Sequence, residues 1–446
     1  MHNQKRDEYK ARLRDDATAS KLAQKATQWY ALSSELIKRR QESKQQEGQD
    51  TRKTLETLKL TDKLLSVNPD PNYLWNHRRE LLLELLETKK DLSPKDFIHQ
   101  EQVLTQAALQ RNPKAYGAWF HRKWSIRQYL MTKLHEDNDE DMSKFQNLIK
   151  AELTLCSEFL MLDERNFHCW NYRRFIVSTL GLTLSGIHIN NSNETQKSEK
   201  LNKDQNYTSY TTNIDGAWHF LNNMDDFMSQ DIPIIGSQLT SSTLSSVTCN
   251  VDDNSTKTIQ DLLGKEWEFT SEKIYQNFSN GSAFDYRSKL LPLMLNLSTS
   301  TKTRSDYVQE ELDLIRNAVF TEPDDQTSWW YFRFILSWAN PKTYHQENGS
   351  SATEDEIEEF QSVMYEEWTS IQELVEAEDG ECKWGLLGLY MIAMSFHEFE
   401  EETKTNDTNG YQGENWLELA HSYLDDLKRM DPDRIRRYET LQQKLE

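Results

Sequence analysis

The sequence predicts an all-α fold, a repeat array in which antiparallel helix hairpins follow one another along the chain. Three observations predict it. An aromatic residue followed by arginine recurs along the chain at nearly regular intervals, which is typical of repeat proteins. A helix-ending segment precedes each copy. Proline and glycine are scarce, with 9 and 14 among 446 residues, which disfavours an all-β fold rich in turns.

The repeated motif is an anchoring aromatic side chain with an arginine three or four positions later. The copies begin at Trp75, Trp119, Trp170, Phe284, Trp329 and, in degenerate form, Trp384. The first three anchors lie 44 and 51 residues apart, farther than the roughly 34 residues of a tetratricopeptide repeat. We therefore expect one helix pair per motif, in a different class of repeat.

Each repeat begins with an apolar helical stretch that ends in Asn or an acid, often followed by proline. Leu64 to Pro69 and Thr321 to Asp325 are examples. Such a pair is a common place for one helix to end and the next to begin. After the first anchor, Leu81, Leu82 and Leu85 share one face of a helix. Each repeat is therefore predicted to be two antiparallel helices.

The repeats divide the chain into four predicted parts. Residues 1–50 are a charged N-terminal helix or arm with a sparse apolar face, and residues 51–186 hold repeats one to three. Residues 187–265 are rich in Ser, Thr, Asn and Asp and interrupt the repeat spacing, so we expect a disordered insertion there. Residues 266–446 hold repeats four to six and the C-terminal helices.

The composition excludes several classes of function. The formal net charge is −21, and a chain this acidic would repel nucleic-acid phosphates and anionic membrane surfaces. The four cysteines are widely spaced, which fits reduced thiols rather than disulfides or a zinc finger. Met1 to Arg14 is charged throughout, and the longest apolar run, Trp384 to Phe396, is too short to cross a bilayer. We therefore expect a cytoplasmic protein with no nucleic-acid partner and no integral membrane segment.

The residues of the motif divide into structural and candidate functional positions. We expect the tryptophans to be wedges between helices and the arginines to pair with carboxylates of neighbouring helices. A second group lies in the loops just before two of the anchors, on a rim where helix N-termini favour anions. The candidate binding residues of this rim are Lys114, Tyr116, Asn166 and His168. Position alone leaves open that they are ordinary polar residues in water.

Taken together, these motifs resemble the protein prenyltransferase α-subunit family. Asn112 to Arg122 reads NPKAYGAWFHR, and Asp163 to Phe175 reads DERNFHCWNYRRF. Both are similar to repeats of the Rab geranylgeranyltransferase (type II) class, as is Glu322 to Gln326. The α subunit shared by farnesyltransferase and type I geranylgeranyltransferase matches less closely. Because we find no immunoglobulin-like domain or leucine-rich repeats, which animal members carry, we expect a short form.

The resemblance implies an α-α superhelix, a crescent of antiparallel helix hairpins built from prenyltransferase α-subunit repeats. It also implies a subunit of a heterodimeric enzyme, protein geranylgeranyltransferase type II. The β subunit of that family holds the catalytic zinc and most of the isoprenoid pocket, so no cofactor is expected in this chain. The implied reaction transfers geranylgeranyl from geranylgeranyl diphosphate to C-terminal cysteines of Rab GTPases, which a Rab escort protein presents, in vesicle transport. The sequence agrees with this division of roles, because it contains neither a His-Glu-x-x-His motif nor a cysteine cluster.

The resemblance also implies roles for single residues. Lys114 is expected to be catalytic, because a fixed ammonium would stabilise the negative charge that grows on the diphosphate leaving group. Tyr116, Asn166 and His168 are expected to contact substrate. His2, on the N-terminal arm, is the expected autoinhibitory ligand to the zinc of the partner subunit.

The sequence leaves two alternatives to this function. The chain is also compatible with the α subunit of farnesyltransferase or type I geranylgeranyltransferase, and with a non-catalytic helical-repeat scaffold. Lys114 separates the enzyme from the scaffold, because a scaffold has no need for a cation facing an anion pocket. Two residues depart from the family pattern: Phe284 replaces the expected tryptophan, and Phe167 has no hydroxyl where the farnesyltransferase relative has tyrosine.

Overall fold

The computed structural model describes residues 16–45, 51–88, 93–134, 139–184, 253–297, 302–348, 350–403 and 411–445. In these ranges the regular structure is α-helical, with two short 3-10 turns and no strand. The first seven helices are α1 (Asp16–Gln45), α2 (Thr51–Val67), α3 (Asn72–Thr88), α4 (Pro94–Arg111), α5 (Tyr116–Leu134), α6 (Asp139–Leu162) and α7 (Phe167–Leu184). The others are α8 (Asp253–Gln276), α9 (Gly281–Leu297), α10 (Arg304–Thr321), α11 (Gln326–Ala339), α12 (Pro341–Asn348), α13 (Glu354–Ala377), α14 (Lys383–Thr403), α15 (Trp416–Met430) and α16 (Ile435–Gln442). The predicted all-α repeat fold is confirmed.

The described residues form two compact units that divide between Ile176 and Val177, within α7. In the first unit, α2 packs on α3 and α4 packs on α5. In the second unit the packed neighbours are α8 with α9, α10 with α11, α13 with α14, and α14 with α15. Four-residue loops join the two helices of the first five repeats, and a five-residue loop joins α13 to α14. Each pair is therefore an antiparallel hairpin, as the sequence predicts.

The boundary predicted for the insertion is wrong at its C-terminal end. Helix α8 begins at Asp253, so residues 253–265, which we assigned to the insertion, are helical. Ile259, Leu262 and Leu263 are buried, and their i, i+3, i+4 spacing marks a core-facing helical stripe. The polar residues on either side of this stripe dominate the composition of the segment, so composition alone does not indicate the helix. Residues 187–252 lie outside the described residues.

Four of the five anchoring tryptophans, all except the half-buried Trp384, are buried as predicted, and each of these four makes the same hydrogen bond. Each indole Nε1–H donates to the backbone carbonyl of the residue six positions earlier, across the loop between the two helices of its repeat. The bonds are Trp75 to Pro69 at 2.8 Å, Trp119 to Pro113 at 2.8 Å, Trp170 to Glu164 at 2.7 Å and Trp329 to Pro323 at 2.9 Å. A buried indole therefore fills the helix interface and satisfies a loop carbonyl. Phe284 is equally buried but has no N–H to donate.

The arginine three positions after the anchor ties one repeat to the next, as the Arg122 network illustrates. The Nε–H and Nη2–H groups of Arg122 donate to the two carboxylate oxygens of Glu152, both at 2.7 Å. Its Nη1 donates to the Gln102 carbonyl at 2.8 Å and to Thr105 Oγ1 at 2.7 Å. The phenol of Tyr172 donates to the same carboxylate at 2.7 Å. Both charges are therefore buried but fully hydrogen-bonded.

The same arrangement recurs at two other junctions. Arg78 donates to Glu101 at 2.6 and 2.7 Å, and Arg287 donates to Glu311 at 2.7 Å twice. In each set a ring side chain also hydrogen-bonds to the carboxylate. His121 Nε2 lies 2.7 Å from Glu101, and the Tyr331 phenol donates to Glu311 at 2.5 Å. We call each set of arginine, acid and ring an inter-repeat arginine cluster. The arginines thus pair with carboxylates, as the sequence predicts.

The fifth repeat builds its ion pair in a different way. Phe332 stands where the other repeats have the arginine, and Arg333, the motif arginine in the sequence, is exposed. The buried acid of the following helix α13, Glu367, is instead paired with Arg316 of α10. Position 316 corresponds to Asp62 of the first repeat, which accepts a bond from Arg78. In this repeat the cation is therefore supplied by the first helix of the hairpin, α10, and not by the second, and Glu367 is still paired.

The cluster around His121 predicts how stability depends on pH. Burial lowers the pKa of His121 from 6.5 to about 4, against the opposing effect of Glu101. Between these values the unfolded chain binds a proton that the folded chain does not, so stability falls as the pH drops from 6.5 towards 4. The slope from this one group is at most about 1.4 kcal/mol per pH unit. Urea unfolding at several pH values should show a smaller slope in His121→Phe than in wild type, and equal slopes would contradict the assignment.

Gly117 marks a close contact between α5 and α3. A Cβ atom there would lie 2.8 Å from Asn72 Oδ1 and 2.9 Å from Trp75 Nε1. We expect Gly117→Ala to lower the free energy of unfolding by about 1–3 kcal/mol through overpacking. Gly264→Ala is the matched control, because a Cβ in that helix meets nothing within 4 Å. It should stabilise by up to about 1 kcal/mol. Equal urea midpoints for the two variants would argue against the close contact.

Candidate anion and aromatic site at two helix N-termini

The four candidate residues of the rim lie on two neighbouring loops of the first unit. One loop joins α4 to α5 and carries Lys114, with Tyr116 as the first residue of α5. The other joins α6 to α7 and carries Asn166, with His168 in the first turn of α7. The side-chain amide of Asn166 donates to the Pro113 carbonyl at 3.0 Å and so fastens the second loop to the first. The structure therefore brings all four residues to one place, as the spacing predicts.

Asn166 supports this rim from inside. Its side chain is only 2% exposed, and its Oδ1 accepts hydrogen bonds from the backbone N–H groups of His168 at 3.2 Å and Cys169 at 3.3 Å. It caps the N-terminus of α7 while its amide holds the neighbouring loop. The expected contact between Asn166 and substrate remains a prediction, but these bonds give the side chain a structural role.

Lys114 is exposed and carries the cation of the site. Its side chain is 42% exposed, and its Nζ lies 3.3 Å from Asp163 Oδ2 on the other loop. Its backbone N–H donates to Asn112 Oδ1 at 3.1 Å, which fixes the start of the loop. One carboxylate contact leaves further ammonium hydrogens available to a ligand, because an ammonium has three donors.

Aromatic side chains surround this cation. Tyr116 and Phe167 are each more than half exposed. The Tyr116 ring is stacked with Phe120 at 6.3 Å and lies 5.8 Å from the His168 ring. Phe167 lies 3.9 Å from His168, between ring centroids. The result is an apolar surface beside an ammonium, at the positive ends of two helices.

His168 is neutral at physiological pH. Burial, and then the positive charges of Lys114 and Lys123, lower its pKa from the ordinary value of 6.5. Lys123 itself is held by Asn171, with Nζ 2.9 Å from Oδ1. A neutral imidazole offers one N–H donor and one acceptor, so His168 can donate one hydrogen bond to an anion beside Lys114.

Sequence reasoning missed Asp163, the carboxylate paired with Lys114. The repeat register contains the signal: the residue five positions before one anchor contacts the residue seven positions before the next. Asp70 accepts from Asn112 Nδ2 at 2.6 Å in this way, and Ser279 donates to Glu322 at 3.4 Å. Aligning the repeats would have paired Lys114 with Asp163. His2 lies outside the described residues, so its expected contact with a partner's zinc stays a prediction.

The described part of the chain contains no group of three or more His, Cys, Asp or Glu residues placed to hold a metal ion. None of the described helices is long and apolar enough to span a membrane. The rim offers a cation, a neutral imidazole and two helix N-termini beside an aromatic surface, an arrangement that favours an anion.

Comparison with known proteins gives consistent sequence matches. Four segments, residues 55–85, 98–129, 149–180 and 308–339, match the Protein prenyltransferase alpha subunit repeat. The human protein named Geranylgeranyl transferase type-2 subunit alpha is 30% identical over 291 residues, 64% of this chain and 34% of the human one. The Schizosaccharomyces pombe protein of that name is 26% identical over 392 residues, 87% of this chain and 85% of the yeast one.

The lengths of these relatives differ. The matched region spans about a third of the mammalian relatives, 34% in the human and bovine proteins, but most of the fission yeast protein. The Candida albicans protein of the same name is 24% identical over 346 residues, which cover 72% of this chain and 70% of that protein. All four repeat matches fall on the helix hairpins described above, and the matched relatives share one name. The chain therefore carries protein prenyltransferase alpha subunit repeats and fits that family.

Proposed function

We propose that this chain is the α subunit of a cytoplasmic geranylgeranyltransferase of type 2. With a β subunit, it would transfer geranylgeranyl from geranylgeranyl diphosphate to C-terminal cysteines of Rab GTPases presented by a Rab escort protein. The shared name of its relatives in mammals and yeasts supports this assignment.

The observation that carries the proposal is the rim of Lys114, Tyr116, Phe167 and His168. An isoprenoid diphosphate has a strongly anionic head and a long apolar tail. A cation and helix N-termini match the head, and the adjoining exposed aromatic rings match apolar groups. A repeat scaffold with no ligand would have no reason to combine these features.

Within the reaction, this chain would act on the leaving group. As the bond between the isoprenoid carbon and the diphosphate breaks, negative charge grows on the diphosphate oxygens. The Lys114 ammonium would stabilise that charge more strongly in the transition state than in the bound substrate. The neutral imidazole of His168 would donate one hydrogen bond to the same anion, and Tyr116 would contact the substrate beside it.

Exposed apolar side chains support an obligate partner. On the first unit, Met161 and Leu162 are among the most exposed apolar residues and adjoin the rim at the end of α6. On the second unit, Tyr275, Phe320 and Trp330 are about half exposed. Covering exposed apolar side chains with a partner removes apolar surface from water, which is favourable. Each unit would therefore lose unfavourable apolar exposure when a β subunit covers it.

The zinc of this reaction would belong to the β subunit. Among the described residues of this chain, no group of three or more His, Cys, Asp or Glu is placed to hold zinc. When bound in the partner, zinc would stabilise the thiolate form of the acceptor cysteine, which is the nucleophile. The part played by this chain is to bind and stabilise the diphosphate.

A transfer assay separates this function from the alternatives. The chain is co-expressed with a type 2 β subunit, and geranylgeranyl transfer is measured by intact mass on Rab with and without escort protein. Escort-dependent modification of Rab is expected. Modification of a short C-terminal cysteine peptide, with a type I β subunit and without escort protein, would favour the alternative subunit. If no prenyl group is transferred with any β subunit, the result would favour the non-catalytic scaffold.

A further inference from the structure

We propose that Asp163 is a positioning residue for Lys114, one that holds the ammonium where the proposed leaving group departs. The inference rests on the proposed function. It assigns a role in that reaction to a carboxylate that does not itself touch the diphosphate.

The geometry of the two loops carries the inference. Lys114 Nζ lies 3.3 Å from Asp163 Oδ2, and both side chains are only partly exposed. Asp163 is itself held at the end of α6, where its N–H donates to the Phe159 carbonyl at 3.0 Å. A third bond, from Asn166 Nδ2 to the Pro113 carbonyl, fixes the distance between the loops. The backbone that carries the carboxylate is therefore held in place, so the short Asp163 side chain can restrain the longer and more flexible lysine.

The repeat register shows why a carboxylate is available there. At two other junctions the equivalent positions also touch, Asp70 with Asn112 between repeats one and two and Ser279 with Glu322 between repeats four and five. These contacts join an amide or a hydroxyl to a carboxylate. At the Lys114 junction the same architectural contact holds a cation instead. A bond that elsewhere only joins repeats here restrains a side chain with four rotatable bonds, which otherwise loses considerable entropy when a ligand fixes it.

The charge of Asp163 distinguishes positioning from simple attraction of substrate. A carboxylate near the site opposes binding of an anionic diphosphate, so its removal should leave ground-state binding unchanged or make it tighter. Its removal should also let the ammonium move away from the place where charge develops, which lowers the rate of the chemical step. The rate should therefore fall while diphosphate binding stays unchanged or becomes tighter, a combination that loss of a merely structural contact would not produce.

The test is a double-mutant cycle in the intact heterodimer with a β subunit. We expect Asp163→Ala to lower the single-turnover transfer rate about tenfold, with the dissociation constant for geranylgeranyl diphosphate unchanged or smaller. In a Lys114→Ala background, Asp163→Ala should have no further effect on the rate, because it acts only through the lysine. Glu158→Ala, which removes an exposed acid from the same helix α6, is the charge control and should change neither quantity.

Each outcome decides the matter. Independent effects of the two substitutions, an unchanged Asp163→Ala rate, or weaker diphosphate binding without a rate change would overturn the inference while the proposed function stands. A wild-type heterodimer that transfers no prenyl group overturns the proposed function and the inference with it. If Asp163→Ala does not assemble, Asp163→Asn replaces it in the cycle, because the amide keeps the shape and removes the charge.

Discussion

Replacement of Arg122 by methionine is expected to lower the free energy of unfolding by about 3–5 kcal/mol, because breaking a buried ion pair leaves an uncompensated charge. Glu152 would keep its bonds from Tyr172 and Gln102, at 2.7 Å each, but would lose both bonds from the guanidinium. Those two neutral donors do not replace a cation in a site where the carboxylate is almost completely buried. Urea unfolding of the purified chain measures the loss.

Two controls identify the cause of that loss. Arg127→Met removes an exposed arginine from the same helix α5 and should change stability by less than about 0.5 kcal/mol. The double variant Arg122→Met, Glu152→Gln should recover a substantial part of the stability, because no buried charge remains unpaired. If the double variant is as unstable as the single one, packing of the arginine stem rather than the charge explains the effect.

Lys114→Ala is expected to lower the rate of geranylgeranyl transfer by about 10²–10³-fold, the usual cost of one preorganised group that stabilises transition-state charge. The substitution removes an exposed side chain that forms an ion pair with Asp163, so folding and assembly with the β subunit should be preserved. The measurement is single-turnover transfer by the purified heterodimer at saturating substrate.

The matched control for Lys114 is Lys150→Ala. Lys150 is an exposed lysine on α6, away from the rim loops, and its loss removes the same charge from the chain. The transfer rate of Lys150→Ala should equal that of wild type. The affinities for the escort protein and for Rab should be similar in the Lys114 and Lys150 variants. A transfer rate for Lys114→Ala within about threefold of wild type would show that Lys114 is an ordinary surface lysine with no catalytic role.

The repeated motif was sufficient to predict the helix hairpins, the burial of the tryptophans and the pairing of the arginines. These features follow from local rules: an anchor at fixed spacing, a loop that ends one helix, and a buried charge that needs a partner. The sequence also predicts that Lys114, Tyr116, Asn166 and His168 meet, because equivalent loops of adjacent repeats lie side by side.

The features that escaped prediction depend on contacts between distant segments. The exposed Arg333 looks like the motif arginine in sequence, whereas Arg316 makes the ion pair with Glu367. From the sequence, the Asn166 side chain is expected to contact a ligand. In the structure it instead hydrogen-bonds to the neighbouring loop and to the N-terminus of its own helix, α7. Helix α8 begins inside the predicted insertion because three buried aliphatic residues are too few to outweigh the polar composition around them.

Association with a β subunit tests the central claim most directly. The purified chain is mixed with a type 2 prenyltransferase β subunit, and the molar mass of the product is measured by light scattering after size-exclusion chromatography. We predict a stable one-to-one heterodimer with an interface of the obligate class, above about 2,000 Å². A chain that remains a well-behaved monomer with two-state unfolding, and shows no affinity for any prenyltransferase β subunit, would contradict the assignment.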